Sequence, residues 1–589
     1  MQSPSVSQNS VNPSEENTRQ FLDSLKAILQ PYWYPTESNG RVFSEVIKSW
    51  VMLFFLLLLI IGLVGFTSFN SFVLRELLDA IQAKNMADFR MSLSIYGGSL
   101  LTITLLTGLS KFVRKKIALN WYEWLNDYSF QKYFSDRAYY KINFNPIVDN
   151  PDQRLSQEIE PIARTTLSFF ATSFQRILEM IVFSVILWQI SMSVGIILII
   201  YTVIGNLIAL YLSQELNKIT EEELELEANY SYAVTHIRNH AESIAFFRGE
   251  KEELNRIKNK FRLILKNSLQ KINWERNKEF FERAYEAMIQ IFPYLIVAPL
   301  YIQGEIDFGK VSQASFLSIY FADALATLIK EFAESGKVSN YIDRLVSLTE
   351  GLELVSQQSE DKSVIKTREE NRISFKNVTL ETPNYQKVIV KDLNLEVEPK
   401  KGLLIIGPSG RGKSSLLRAI AGLWSAGTGT VIRPQPDDIL FLPQRPYIIL
   451  GTLREQLVYP NLNREVSTEE LEKVLKKVNL GDVLTRVGSF DEEVNWENIL
   501  SLGEQQRLAF ARILVSHPHF IILDEATSAL DINNEDNLYQ QLENSKTTFI
   551  SVGHRESLFQ YHQSVLELSQ DSDWKLMTVE DYQLQKNRI

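Results

Sequence analysis

Residues 401 to 424 read KGLLIIGPSGRGKSSLLRAIAGLW. The apolar run LLII leads into Gly-x4-Gly-Lys-Ser at Gly407, Gly412, Lys413 and Ser414, and an apolar helical run follows. In that order of strand, glycine-rich loop and helix, the glycines let backbone N–H groups close on phosphates at a helix N-terminus. Lys413 brings a positive charge to the β and γ groups, and Ser414 offers an oxygen to magnesium. Ser409, Gly410 and Ser415 belong to the same cradle. The stretch predicts an α/β phosphate-loop domain.

A second apolar strand, FIILDEATSALD (520 to 531), ends in two carboxylates. Beside a phosphate loop, Asp524 is expected to hold magnesium and Glu525 to polarise an attacking water. A third stretch, LSLGEQQ (500 to 506), puts Ser501 and Gly503 at the head of an apolar helix, where an anion fits, yet no phosphate loop adjoins it. Its ligand must come from elsewhere in the chain or from another chain.

Outward from these motifs the chain divides into two unlike halves. Apolar runs crowd residues 50 to 330, whereas residues 335 to 589 alternate apolar and charged stretches. WVMLFFLLLLIIGLVGFTSF (50 to 69) carries no charge and is long enough to cross a hydrocarbon core of about 30 Å. Further spans are expected at 91 to 110, 167 to 189, 194 to 212, 284 to 302 and 311 to 329. Lys and Arg recur in the long connections 111 to 165 and 213 to 283, while the connections near 190 to 195 and 303 to 310 are short. This asymmetry puts both termini and the long loops in the cytoplasm. The long connections read as helices continuing well below the membrane.

Arg176, Glu179 and Asp323 fall within expected spans, where a charge faces a cavity or another charge rather than lipid. Arg176 and Glu179, three apart, can pair on one helix face. Pro293 and Pro299, with Gly97 and Gly98, can bend or loosen spans that move.

The chain has 589 residues, a net charge of −10 and no Cys, which excludes disulfides and thiolate metal sites. Its basic residues form no long stripe, so nucleic acid is not an expected partner. The first twenty residues are polar, rich in Ser and Asn, and read as a disordered cytoplasmic tail.

Taken together, residues 371 to 560 resemble the nucleotide-binding domain of ABC transporters. The phosphate loop, the glutamine of FLPQRPY (Gln444), the signature LSLGEQQ, the strand ending at Glu525, the SALD that follows (528 to 531) and the histidine of ISVGHR (His554) occur in the family's order. The resemblance implies that ATP on one subunit's phosphate loop is covered by Ser501 and Gly503 of a second subunit. It further implies that Gln444 shares the metal site and links it to the membrane helices, that His554 contacts the γ-phosphate, and that Asp531 orders the dimer contact. With one membrane half and one ATPase half, the chain resembles a half-transporter that homodimerises. ATP and Mg2+ are the implied cofactors.

Two positions depart from the family pattern. Leu502 replaces the first Gly of the signature pair, and Thr382 stands where an aromatic normally stacks on adenine, with Tyr385 as its candidate replacement.

LGTLREQLVYP (450 to 460), NPDQR (150 to 154), LNWYEWLNDYSFQKYF (119 to 134) and HAESIAFFRGEKEE (240 to 253) resemble subfamily D, whose members include the peroxisomal acyl-CoA transporters. LSLGEQQRLAFAR looks like its bacterial relatives, fused forms of the SbmA/BacA-like peptide-uptake proteins.

The expected fold is therefore a membrane all-α domain of six helices, exporter type, fused to a cytosolic α/β P-loop ATPase domain. Its parts are an N-terminal tail and elbow (1 to 48), a transmembrane domain (49 to 335), a linker (336 to 370) and a nucleotide-binding domain (371 to 589). The expected function is ATP-driven transport by alternating access, in a bacterial inner membrane, of fatty acyl derivatives, peptides or cobalamin-like compounds. The alternative is an ATP-gated channel or a membrane-anchored regulatory ABC protein, whose mark would be a degenerate hydrolytic residue; Glu525 and His554 are intact.

Overall fold

The computed structural model describes residues 13–34, 41–144, 148–357, 364–383, 385–569 and 572–586. They fall into two compact units, Met1–Ser356 and Gln357–Ile589.

The first unit is helical. Helix α1 (Pro13–Trp33) is followed by α2 (Phe43–Gln82), α3 (Met86–Phe134), α4 (Ile159–Ile190), α5 (Met192–Asn239), the short α6 (Ala241–Phe247), α7 (Glu250–Ile302) and α8 (Phe308–Gln357). Six helices among the described residues are long and apolar enough to cross a membrane, and each contains one expected span. At 1.5 Å per residue, α3, α5, α7 and α8 run about 70 to 80 Å, far beyond the hydrocarbon thickness. Helix α7 continues through both Pro293 and Pro299.

Part of the stretch expected to be a disordered tail is helical. Residues 13 to 20 are the first turns of α1, while residues 1 to 12 lie outside the described residues. Further along, Leu25, Ile28, Tyr32 and Trp33 recur at helical spacing and bury themselves against Trp121 and α2. Arg41 stacks over the Tyr32 ring at 3.8 Å, and Trp50 donates its indole N–H to the Trp33 carbonyl at 2.9 Å.

NPDQR opens the approach to α4. Asn150 takes a left-handed conformation, Pro151 starts the helix, and buried Arg154 donates to the Arg344 carbonyl (2.6 Å) and the Ser347 hydroxyl (2.7 Å) on α8.

Helices α5 and α7 fit without a gap. At Gly205 an added Cβ would fall 2.0 Å from the Tyr285 ring, which stacks on Tyr201 at 5.2 Å.

The second unit begins inside the expected linker: α8 runs on to Gln357, and strand β1 (Lys366–Glu369) already pairs in parallel with β5. Residues 358 to 363 lie outside the described residues. A four-stranded sheet, order β1-β5-β2-β3, contains β2 (Ser374–Glu381), β3 (Val388–Glu396) and β5 (Gly427–Arg433). A six-stranded sheet has the order β10-β9-β4-β8-β7-β6. It contains β4 (Gly402–Ile406), β6 (Ile439–Leu442), β7 (Phe520–Asp524), β8 (Thr548–Val552), β9 (Ser564–Leu568) and the antiparallel edge strand β10 (Trp574–Thr578). The wholly buried GLLII and TFISV runs are what a central parallel strand covered on both faces requires. Helix α9 (Lys413–Ile420) follows β4, α10 (Leu502–Ser516) precedes β7, and α11 (Ile532–Asn544) lies between β7 and β8.

Candidate functional site

Parallel strands place their C-terminal ends on one edge of the sheet, where α/β ligand sites form. Four neighbouring strands deliver the motifs there: β4 leads into the loop from Gly407, β6 into Gln444, β7 into Asp524 and Glu525, and β8 into His554.

A cavity of about 510 Å³ opens at this edge, lined by Ser409, Gly410, Gly412, Lys413, Ser414, Ser415, Gln444 and Glu525 among others. Gly412 has a φ of 86°, and a Cβ there would meet Ile389 at 2.0 Å, so only glycine fits this turn. Gly407, at φ 143°, passes so close to the Leu568 carbonyl that a Cβ would fall 2.5 Å from its oxygen. The Lys413 ammonium is folded back onto the carbonyls of Gly407 (2.7 Å) and Pro408 (3.1 Å). Burial lowers its pKa, with Glu525 and Asp524 opposing the shift.

Ser414 donates to Asp524 at 3.1 Å. Burial raises the pKa of Asp524, and the Ser414 hydrogen bond only partly offsets this. A half-buried carboxylate beside a hydroxyl is a pair of oxygen donors suited to a hard divalent cation. Gln444 donates to Glu525 at 2.9 Å, and His554 Nε2 stands 3.7 Å from the other Glu525 oxygen. Glu525 itself sits at φ 49°, a left-handed conformation that costs an ordinary side chain energy and aims this one at the cavity edge. The glycine loop, Ser414, Asp524, Gln444, Glu525 and His554 therefore meet in one place.

The signature lies apart from this cavity. Ser501 caps α10: its hydroxyl accepts from the Glu504 N–H and donates to the Glu504 carboxylate, which returns a bond to the Ser501 N–H, forming a capping box. Ser501 and Leu502 are exposed, and neither they nor Gly503 are in the cavity lining. Gly503 runs close enough to the Ala529 carbonyl that a Cβ would sit at 3.1 Å. Asp531 is the N-cap of α11, bonded by Asn534.

Tyr385 is not in the lining; it occupies a tight turn at φ 58°, its N–H bound to the Thr382 carbonyl at 2.7 Å. Thr382 does line the cavity, and so does Trp424, whose indole N–H donates to the Glu381 carbonyl at 2.7 Å.

Sequence reasoning also missed the side chains that bind the motifs together. Gln506 donates to the Gln444 carbonyl (3.2 Å) and the Ser528 hydroxyl (3.3 Å) and accepts from the Ala529 N–H (3.0 Å). Arg555 holds the carbonyls of Leu530 (2.7 Å) and Ser528 (2.8 Å) and pairs with buried Glu535 at 3.3 Å. Gln506 was visible only as the last letter of a motif, and Arg555 only as the neighbour of His554.

In the membrane unit, α2, α3, α4 and α8 enclose a second cavity of about 390 Å³. Arg176 pairs there with both Glu179 (2.8 Å) and Asp323 (3.1 Å), and Gln175 donates to Glu179 at 2.9 Å. Lys111 and Arg114 also line it.

Comparison with known proteins agrees with this geometry. The family model for ABC transporter transmembrane region 2 matches residues 42–302, and that for ABC transporter matches residues 390–528. A Synechocystis sp. ABC transporter ATP-binding protein is 40% identical over 540 residues, spanning 90% of this chain and 82% of its own length. The chloroplastic ABC transporter D family member 2 of Arabidopsis thaliana is 32% identical over 653 residues, 97% of this chain and 90% of that one. The human lysosomal cobalamin transporter ABCD4 is 29% identical over 508 residues, 80% of this chain and 84% of that one.

Proposed function

The chain belongs to the ABC transporter family as a half-transporter of the subfamily D type that couples ATP hydrolysis to transport, and from this we propose that it works as a homodimer by alternating access. One observation carries the reading. The phosphate cavity is lined without any signature residue, while Ser501 and Leu502 stand exposed at the N-terminus of α10, where an anion is favoured. A second copy completes both sites by turning each signature onto the other's phosphate loop.

In that arrangement the N–H groups of the Gly407–Ser415 loop and the Lys413 ammonium bind phosphate, which takes the place of the loop carbonyls that Lys413 now holds. Ser414 and Gln444, with Asp524, would hold magnesium, which would supply positive charge to the phosphates. Glu525, aimed by Gln444 and its left-handed backbone, takes the proton of the attacking water, and His554 donates toward the γ-phosphate. Ser501 must turn its O–H from Glu504 to the incoming phosphate, so closure exchanges one charge-assisted hydrogen bond for another. ATP then shifts the membrane unit's population by its differential affinity for the closed state.

The polar cavity around Arg176 supports passage of a cargo with polar groups, and fatty acyl derivatives, peptides and cobalamin-like compounds are the classes we propose. We place the chain in a bacterial inner membrane with both termini cytoplasmic; the basic residues after the second span support that orientation.

The chain has no Cys, so a Ser409→Cys, Ser501→Cys pair introduces its only thiols. In the Glu525→Gln background, ATP should drive a disulfide between two chains, seen as a doubling of mass on a non-reducing gel. Failure to cross-link with ATP bound would sink the shared-site reading. Stimulation of ATPase in nanodiscs by one compound class, lost in Glu525→Gln, identifies the cargo.

A further inference from the structure

The nucleotide-site reading leaves the base without its usual aromatic partner, because Thr382 occupies that position and Tyr385 lies outside the cavity. We propose, resting on that reading, that Trp424 supplies the aromatic surface for the nucleotide base, from beyond the far end of α9 rather than from the strand before the phosphate loop.

Three observations converge on this residue. Among the described residues, Trp424 is the one aromatic side chain in the lining, which it shares with Thr382, Val388, Ile389 and the phosphate loop. Its position is fixed: the indole N–H is spent on the Glu381 carbonyl, one residue before Thr382, so the chain stretch that would carry an aromatic instead anchors one from elsewhere. Arg418, which is exposed and not in the lining, stands over the ring at 6.0 Å and steadies it from outside the cavity. The ring packs partly on the core of the sheet through Trp424's contact with that cluster, so it is held rather than free to swing.

The chemistry fits a planar heteroaromatic base. With its N–H already committed, the indole offers the cavity its π-surface and apolar edge, which recognise any flat base by stacking and dispersion. Thr382, small and β-branched, leaves the volume that an aromatic would fill at its own position. Such a surface discriminates weakly between adenine and guanine, because stacking carries little hydrogen-bond information. The site should therefore accept GTP nearly as well as ATP.

The test is equilibrium binding to the full chain in nanodiscs, without magnesium so that nothing turns over, with ATP, GTP and inorganic tripolyphosphate as probes. Trp424→Ala should weaken ATP and GTP binding roughly ten-fold, within the range measured for losing one base–aromatic contact, and leave tripolyphosphate unchanged. Trp424→Phe, which keeps a ring but not the bond to Glu381, should stay within about three-fold of wild type for all three. Equal loss for ATP and tripolyphosphate in Trp424→Ala would mean a collapsed loop and overturn the proposal. So would wild-type ATP affinity in that variant, a Phe variant as weak as the Ala variant, or a loss that follows Tyr385→Ala instead. A wild-type chain that binds none of the probes would overturn the nucleotide site itself, a result distinguishable from all of these.

Discussion

The Gln506 side chain accepts the Ala529 backbone N–H at 3.0 Å while its amide nitrogen reaches the Gln444 carbonyl at 3.2 Å. One glutamine, 2% exposed, thereby fixes the distance between the loop carrying Gln444 and the loop after Glu525. Gln506→Leu removes these bonds to loops that are themselves exposed, at a cost of about 0.5–1.5 kcal/mol for each bond lost. We expect kcat to fall roughly ten-fold or more, with the nucleotide KM much less changed, since the phosphate loop is untouched. Steady-state ATPase beside magnesium-free ATP binding checks it; an unchanged kcat would remove Gln506 from the machinery.

Arg176 is shared unequally by its two carboxylates. Glu179 is nearly enclosed, its side chain 6% exposed, whereas that of Asp323 is 59% exposed. Arg176→Met should cost about 3–5 kcal/mol, because it strands a buried charge. Asp323→Asn should cost under about 1 kcal/mol, as an exposed partner does. Melting of both variants in detergent tests the asymmetry, and equal losses would contradict it.

Arg154 holds α8 through one nitrogen, Nη1, which donates to the Arg344 carbonyl and the Ser347 hydroxyl, while Nη2 of the same planar head pairs with Asp149. A lysine cannot reproduce that fork. Arg154→Lys should therefore destabilise the membrane unit by about 2 kcal/mol, close to what Arg154→Ala does. Recovery of wild-type thermal stability by the lysine variant would show that charge alone suffices.

Burial lowers the pKa of His562 to about 4, with its bond to the Leu558 carbonyl opposing the shift. An unfolded chain keeps the ordinary value of about 6.5, so it binds a proton that the folded domain refuses. The stability tied to neutral His562 is complete above about pH 6.5 and declines toward pH 4, by about 3 kcal/mol in all. Melting temperature against pH should fall over that window and flatten in His562→Gln.

Much of this was legible because each signal is local. Long apolar runs gave the six spans, and apolar strands leading into Gly407, Asp524 and Glu525 placed the candidate site's edge before any contact was known. The alternation of burial along β4 and β8 is absent because both faces are covered, and the sequence shows this as unbroken apolar runs. What escaped reading depends on partners far away in the chain. Nothing near Trp424 announces a bond to Glu381, and nothing in NPDQR names Arg344, 190 residues on. The start of α1 at Pro13 escaped because its first residues are polar, and β1 escaped because a four-residue strand finds its partner in distant β5.

The fit of Gly205 under Tyr285 has a mechanical consequence. With no gap to take up, α5 and α7 cannot slide past one another by a residue without driving a side chain into the ring. The two helices thus behave as a single strut, stiff along its length. A displacement applied at the α6 end arrives at the membrane end as rotation or translation of the whole pair, and whatever bending transport requires must occur where the strut ends.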